Sequence, residues 1–166
     1  MIVRPATLED AAGLARLYVS TRRIAYAPFY PAEALAAMSV LEETERWCIR
    51  IQDPAWQTVL SVDSEDTLAG FVHYGHNDTM DAGTGEIEFL YVATQHQGAG
   101  LGKQLIALGE AGLAAMGFTT ATLWCYEGNT PARDFYARRG WSPDGATRDS
   151  GSAPGQTILR YAKPLS

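Results

Sequence analysis

The sequence has little cysteine and no excess of positive charge. Cys48 and Cys125 are the only cysteines in 166 residues. Neither sits at metal-ligand spacing, so no disulfide framework and no metal site is expected, and both read as small buried hydrophobes. Lysine and arginine total 13 against 19 acidic residues, a formal net charge of −6. A general nucleic-acid binder needs a basic footprint, and that class is excluded. No apolar run comes near the roughly 20 residues of a membrane helix, so no membrane partner is expected. Residues 1–7 contain no signal-peptide core and read as a strand running into a helix, which makes the cytoplasm the expected location.

What is present is an ordinary globular composition, 46% hydrophobic and 19% charged, without repeat, low-complexity tract or linker. Residues 1–166 read as one domain, long enough to bury a sizeable core. Residues 2–4 suit a short strand. Thr7, with Asp10 three residues on, makes a start like a capping box. Leu8, Ala11, Ala12, Ala15 and Val19 then recur at helical spacing, to about Arg23. Tyr26 to Pro31 is aromatic and proline-punctuated, hence a loop, and two short helices are predicted around 31–38 and 42–51. The period then changes: strands are predicted over 58–62, 67–74 and 86–92, with a polar loop at 76–85. A glycine-rich turn at 98–102 leads into a helix that ends near Met116. A strand at 119–125, a helix from Asn129 to Arg139 and a closing hairpin from Trp141 to Ala162 complete an α/β chain with a mixed sheet.

The strongest chemical signal is Gln95-His96-Gln97-Gly98-Ala99-Gly100-Leu101-Gly102-Lys103, between a strand and a helix. Successive glycines let the backbone turn its N–H groups toward an anion. The helix start adds free donors and the positive end of the dipole. Such a turn suits a phosphate or pyrophosphate, and Lys103 adds charge; Arg133, Arg138 and Arg139 are further cations in this half. A Walker A loop is excluded because Gly102-Lys103 is followed by Gln104. A Rossmann fingerprint is excluded by the spacing of Gly98, Gly100 and Gly102.

Gln95-x-x-Gly98-x-Gly100, following Leu90-Tyr91-Val92, resembles motif A of the GNAT superfamily of N-acetyltransferases. A second block is similar to that family's Asn-x-x-Ala-x-x-Phe-Tyr-x-x-x-Gly-Phe signature. It runs from Asn129 through Ala132, Phe135 and Tyr136 to Gly140, with Trp141 in place of the usual Phe. The resemblance implies a mainly antiparallel sheet flanked by helices, with a splayed strand pair. It implies acetyl-CoA as co-substrate, its pyrophosphate on the backbone of Gln97, Gly98, Ala99, Gly100, Leu101, Gly102 and Lys103. The pantetheine arm would pair with the backbone of Leu90 and Val92, Asn129 would touch the cofactor, and Tyr136 would sit near the thioester sulfur. The resemblance alone suggests a homodimer.

Attack of an amine on a thioester needs a neutral amine and a proton for the leaving sulfur. Tyr136, with an ordinary pKa near 10, suits the acid. Glu86 and Glu88 share strand parity with Leu90 and Val92, so all four are expected on one face of the sheet. Several GNAT enzymes carry their base where Glu86 stands, which favours it over Glu88; His73 and His76 are further candidates. Tyr26, Phe29, Tyr30 and Trp47 are the aromatics available to wall an acceptor site, with core packing expected for at least two of them. His73 joins the candidate acceptor residues, and Glu33, Asp78 and Asp81 are acids that would attract a cation. The expected activity is acetylation of the primary amine of a small molecule. Acetylation of a protein or peptide amine, or acyl-CoA sensing without turnover, are the alternatives.

Overall fold

In the computed structural model, which describes residues 1–166, seven strands form one sheet in the order β1-β2-β3-β4-β5-β7-β6. The strands are β1 (Ile2–Pro5), β2 (Trp56–Val62), β3 (Leu68–Gly75), β4 (Thr84–Val92), β5 (Thr120–Tyr126), β6 (Ser142–Asp149) and β7 (Thr157–Pro164). The helices are α1 (Ala11–Ala25), α2 (Ala32–Ala36), α3 (Val40–Gln52), α4 (Leu101–Ala115) and α5 (Thr130–Ala137). Every strand pair is antiparallel except β4 with β5. A parallel pair needs a crossover, and α4 supplies it. This is the expected mixed, mainly antiparallel sheet flanked by helices.

Side-chain alternation along the strands feeds two cores. On one face Leu105, Ile106 and Leu113 of α4 pack on Val72, Ile87 and Leu123. On the other, Leu14 of α1 and Trp47 of α3 pack on Leu60 and Phe71. A smaller cluster joins Tyr30 and Leu35 to Tyr126 and Ile158. No helix is long and apolar enough to cross a membrane.

Local chemistry sets the boundaries. Asp10 accepts from the Thr7 backbone N–H at 2.7 Å and forms a two-point ion pair with Arg4. The predicted helix start there is a short 3-10 turn, Leu8–Asp10, and the α-helix proper begins at Ala11. The predicted start of the third helix at Glu42 moves back to Val40, because the Ser39 hydroxyl caps the Glu42 N–H at 3.3 Å. That helix runs 13 residues rather than being short.

Candidate active site

The parallel pairing of β4 with β5 lasts only from Thr84–Thr120 to Glu86–Thr122. Beyond it the two strands part, since β5 continues along β7 and β4 along β3. The gap is a cleft of about 540 Å³ between Leu90 and Val92 on one side and Trp124, Cys125 and Tyr126 on the other. Ala93 donates to the Ala69 carbonyl at 2.8 Å. Antiparallel ladders alternate, so Leu90 and Val92 turn their backbone groups away from β3 and into the gap. The Val92 carbonyl is taken by Gln97 Nε2 at 3.0 Å.

The glycine-rich turn closes one end of this cleft. Gly98 and Gly100 have φ of 80° and 86°, the left-handed region that side chains resist. A Cβ at either would touch nothing within 4 Å, so conformation rather than space calls for glycine. None of the N–H groups from Gly98 to Lys103 donates to a protein acceptor, and helical bonding starts with Gln104 to the Gly100 carbonyl. These donors, at the positive end of α4, form a ready anion cradle. Lys103 and Arg139 line the same cleft. Arg133 is engaged elsewhere, with the Tyr161 hydroxyl and the Glu127 carbonyl.

The helix α5 forms the cleft's other wall. Asn129 caps it, accepting from the Ala132 N–H at 3.3 Å, so its place is fixed by the helix it starts. Tyr136, two turns on, lines the cleft with Cys125. Burial pushes both groups up, the Cys125 thiol to about 12 and the Tyr136 phenol further, so both keep their protons.

A second cavity of about 310 Å³ lies on the α1 side of β4. It shares Tyr26, Glu88, Tyr91, Trp124 and Tyr126 with the cleft, and adds Glu86, Phe89, Trp56, Arg22 and Arg148. Glu86 does not share a face with Leu90 and Val92, contrary to expectation, and Glu88 lines both the cleft and the smaller cavity. Phe89 lies opposite His73 and Ile87 opposite Tyr74, which leaves Glu88 as an extra residue in a β-bulge. One inserted residue inverts the alternation. Ile87, Leu90 and Val92 therefore pack toward α4, while Phe89 and Tyr91 pack toward α1, with Glu86 in the cavity beside them. Burial, and then the neighbouring Glu88, lift the Glu86 carboxyl from 4.5 to about 7. Burial also raises Glu88, against the pull of Arg50 and Arg148.

Residues 15–141 match the model of the acetyltransferase (GNAT) family. The chain belongs to that family. It is therefore an acetyltransferase, with acetyl-CoA as co-substrate. An uncharacterized N-acetyltransferase of Bacillus subtilis, YuaI, is 28% identical over 149 residues, 89% of this chain and 83% of that protein. The PaiA N-acetyltransferase of Thermoplasma acidophilum, solved with coenzyme A, shares the fold. Its TM-score is 0.81 at 19% identity, over 99% of this chain and 98% of that one. Spermidine N-acetyltransferase of Vibrio cholerae, solved with CoA and spermine, aligns at a TM-score of 0.75 and 18% identity. The alignment covers 99% of this chain and 95% of that one.

Within this GNAT enzyme the sequence-derived candidates divide. Leu90, Val92, Gln97, Gly98, Gly100, Gly102, Lys103, Asn129 and Tyr136 line the cleft. Ala99 is exposed at the turn, and Leu101 is buried with its side chain in the core, so each offers the cleft only backbone. Of the acceptor candidates only Tyr26 lines the smaller cavity. Tyr30 is buried and bonds Ser152, Phe29 packs on Tyr126 and Gly128, and Trp47 is wholly buried in the α3 core. His73 also fails as an acceptor contact. It is 1% exposed, stacked on Trp56, and shares a 2.8 Å hydrogen bond with Thr58. Burial and Arg50 lower its pKa to about 3, so it stays neutral. His76 is bound to the Thr84 carbonyl, away from either cavity.

Sequence reading missed Arg22, Tyr91, Trp124, Tyr126 and Arg148. Tyr18 and Arg22 of α1 and Tyr26 at its C-terminal cap recur every fourth residue, a pattern that places them on one side of the helix. Trp124 and Tyr126 alternate with Leu123 and Cys125, which sit in the α4 core. Those signals were in the sequence. Nothing there marked Arg148, on the edge strand β6.

Proposed function

We propose that this enzyme acetylates the primary amine of a small molecule, by direct attack of the amine on acetyl-CoA bound in the cleft. The observation that carries the reading is the shared wall. The cleft and the smaller cavity meet at Glu88, Tyr26, Tyr91, Trp124 and Tyr126, so an amine in one reaches a thioester in the other. A volume of about 310 Å³ suits a small ligand.

The cleft's chemistry fits the co-substrate. Free N–H groups from Gly98 to Lys103, with Lys103 and Arg139 alongside, suit a pyrophosphate. The unpaired β4 edge at Leu90 and Val92 suits an amide-bearing arm laid down as another strand would be. Asn129 adds a polar wall. Bound there, acetyl-CoA supplies an acetyl group already activated as a thioester.

The protein's own groups then manage protons. An amine of pKa about 10.4 costs about 4–5 kcal/mol to deprotonate at pH 7. Glu86, lifted to about 7, can be ionised at neutral pH and still take a proton, directly or through a water. Glu88, at the shared wall, is its rival and holds an incoming cation. Tyr136, kept protonated by burial, gives its proton to the departing sulfur.

A CoA-release screen over amines, amino acids, antibiotics and peptides tests the reading. Release that starts only when a small amine is added supports it. Hydrolysis without amine, or release with peptides alone, overturns it.

A further inference from the structure

Two carboxylates and two guanidinium groups line the acceptor cavity, and the charges do not balance locally. Arg148 faces acids, for it lowers both Glu86 and Glu88. Arg22 does not. Its electrostatic partners are the hydroxyls of Tyr91, Tyr26 and Tyr18, and no carboxylate is among them. Nη1 donates to Tyr18 Oη at 3.1 Å and to Tyr91 Oη at 3.5 Å. Nε is buried without a hydrogen-bond partner. The guanidinium lies 4.3 Å from the Tyr26 ring centre and 5.2 Å from that of Tyr18.

A buried charge is ordinarily paired, since desolvation without a partner is costly. Aromatic faces offset part of that cost. They do not use the in-plane donors, and a guanidinium presents five of these in a fork that fits a carboxylate. Arg50, by contrast, bridges Glu43 at 3.6 Å. Arg22 is set at the cavity with tyrosine hydroxyls and rings for partners and no ion pair.

We infer that Arg22 is the anchor for an anionic group of the acceptor, so that the preferred substrate is a small amino carboxylate rather than a polyamine. This rests on the reading of the smaller cavity as the acceptor site. The amine lies at the Glu88 wall, next to the cleft, and the carboxylate reaches back to the α1 face where Arg22, Tyr26 and Tyr91 meet. Such a pocket rejects a polyamine twice over, by leaving Arg22 unpaired and by setting a second cation against it.

The experiment measures kcat/KM for a series of amino acids, from glycine to 6-aminohexanoate, each against its own carboxamide, with spermidine as a third arm. Wild type, Arg22→Met and Arg22→Lys are compared. At least one acid should exceed its carboxamide by about 30-fold or more, as expected where a buried charged donor would lose its partner. Arg22→Met should bring that ratio to near one, with Arg22→Lys between. If carboxamides or spermidine are used as well as the acids, or the ratio survives Arg22→Met, the inference is overturned while the proposed function stands. If acetyl-CoA binds and no amine of any arm releases CoA, both are overturned.

Discussion

The cleft and the smaller cavity stand side by side on β4, and they are built from different materials. The cleft adds backbone to its side chains: free N–H groups of a turn and the bare edge of a strand. Among its side chains, Asn129 and Tyr136 are held by the helix they belong to. The cavity draws its lining from α1, β2, β4, β5, β6, β7 and the loop after β3. A backbone site depends on conformation, so it requires glycines at fixed spacing and tolerates change elsewhere. A side-chain site can be rebuilt by substitution without disturbing the sheet. One cofactor can thus be kept while the acceptor changes.

The largest effect that would sharpen this contrast is on the turn. Gly100→Glu sets a carboxylate at the cradle, and its Cβ meets nothing within 4 Å. The left-handed φ of 86° adds about 1–2 kcal/mol of strain, which a stable fold survives. Acetyl-CoA affinity should fall by about 100-fold or more. A thermal-shift titration checks it: wild type should gain melting temperature with acetyl-CoA, and the variant should not.

Next comes Tyr136→Phe, which should lower kcat by about 10²–10⁴-fold with acetyl-CoA affinity little changed. Because burial holds the phenol protonated, no alkaline limb from Tyr136 should appear below pH 9 or so. An unaltered kcat, with chemistry rate-limiting, removes it from the mechanism.

The two carboxylates give a smaller effect with a clear sign. Glu86 must be ionised to act, so kcat/KM should rise with pH through about 7. Glu86→Gln should lose that limb and much of the rate, whereas Glu88→Gln keeps the limb. Stability runs the other way. A carboxyl raised in the folded state from 4.5 to about 7 binds its proton more tightly there. Its contribution is full below about pH 4.5 and is lost as pH rises through 7. Glu86→Gln should flatten that decline in melting temperature between pH 4.5 and 7.

His73→Ala should affect activity least and stability most. Removing a buried ring stacked on Trp56 and bonded to Thr58 should cost about 2–4 kcal/mol. Its kcat/KM should stay within about fivefold of wild type. A large loss of rate without loss of stability would return His73 to the site.

How much was legible follows the same division. Glycine spacing and the Asn129–Trp141 block are local in sequence, and so the turn, α4 and α5 were readable, while Tyr91, Trp124 and Tyr126 of the cleft were missed. Strand parity was readable as well, but only where the strand is regular. The bulge at Glu88 arises from pairing with β3, a contact between residues far apart in sequence, and it moved Glu86 to the other face and set Glu88 between the two cavities. His73 looked like any polar residue near a strand end, and only its burial between Trp47 and Trp56 identifies it as core. Core packing was expected for at least two of the acceptor aromatics, but not which two: Tyr26 and Tyr30 both pack on Tyr126, and the bond to Ser152 holds Tyr30 away from the cavity that Tyr26 lines.

The division itself is tested most directly by calorimetry of acetyl-CoA binding to a Glu86→Gln variant, with amine turnover measured on the same preparation. The account predicts a Kd within about threefold of wild type and turnover reduced by about 100-fold or more. A Kd that weakens in parallel with turnover would put Glu86 in the cofactor cleft and contradict the separation of the two sites.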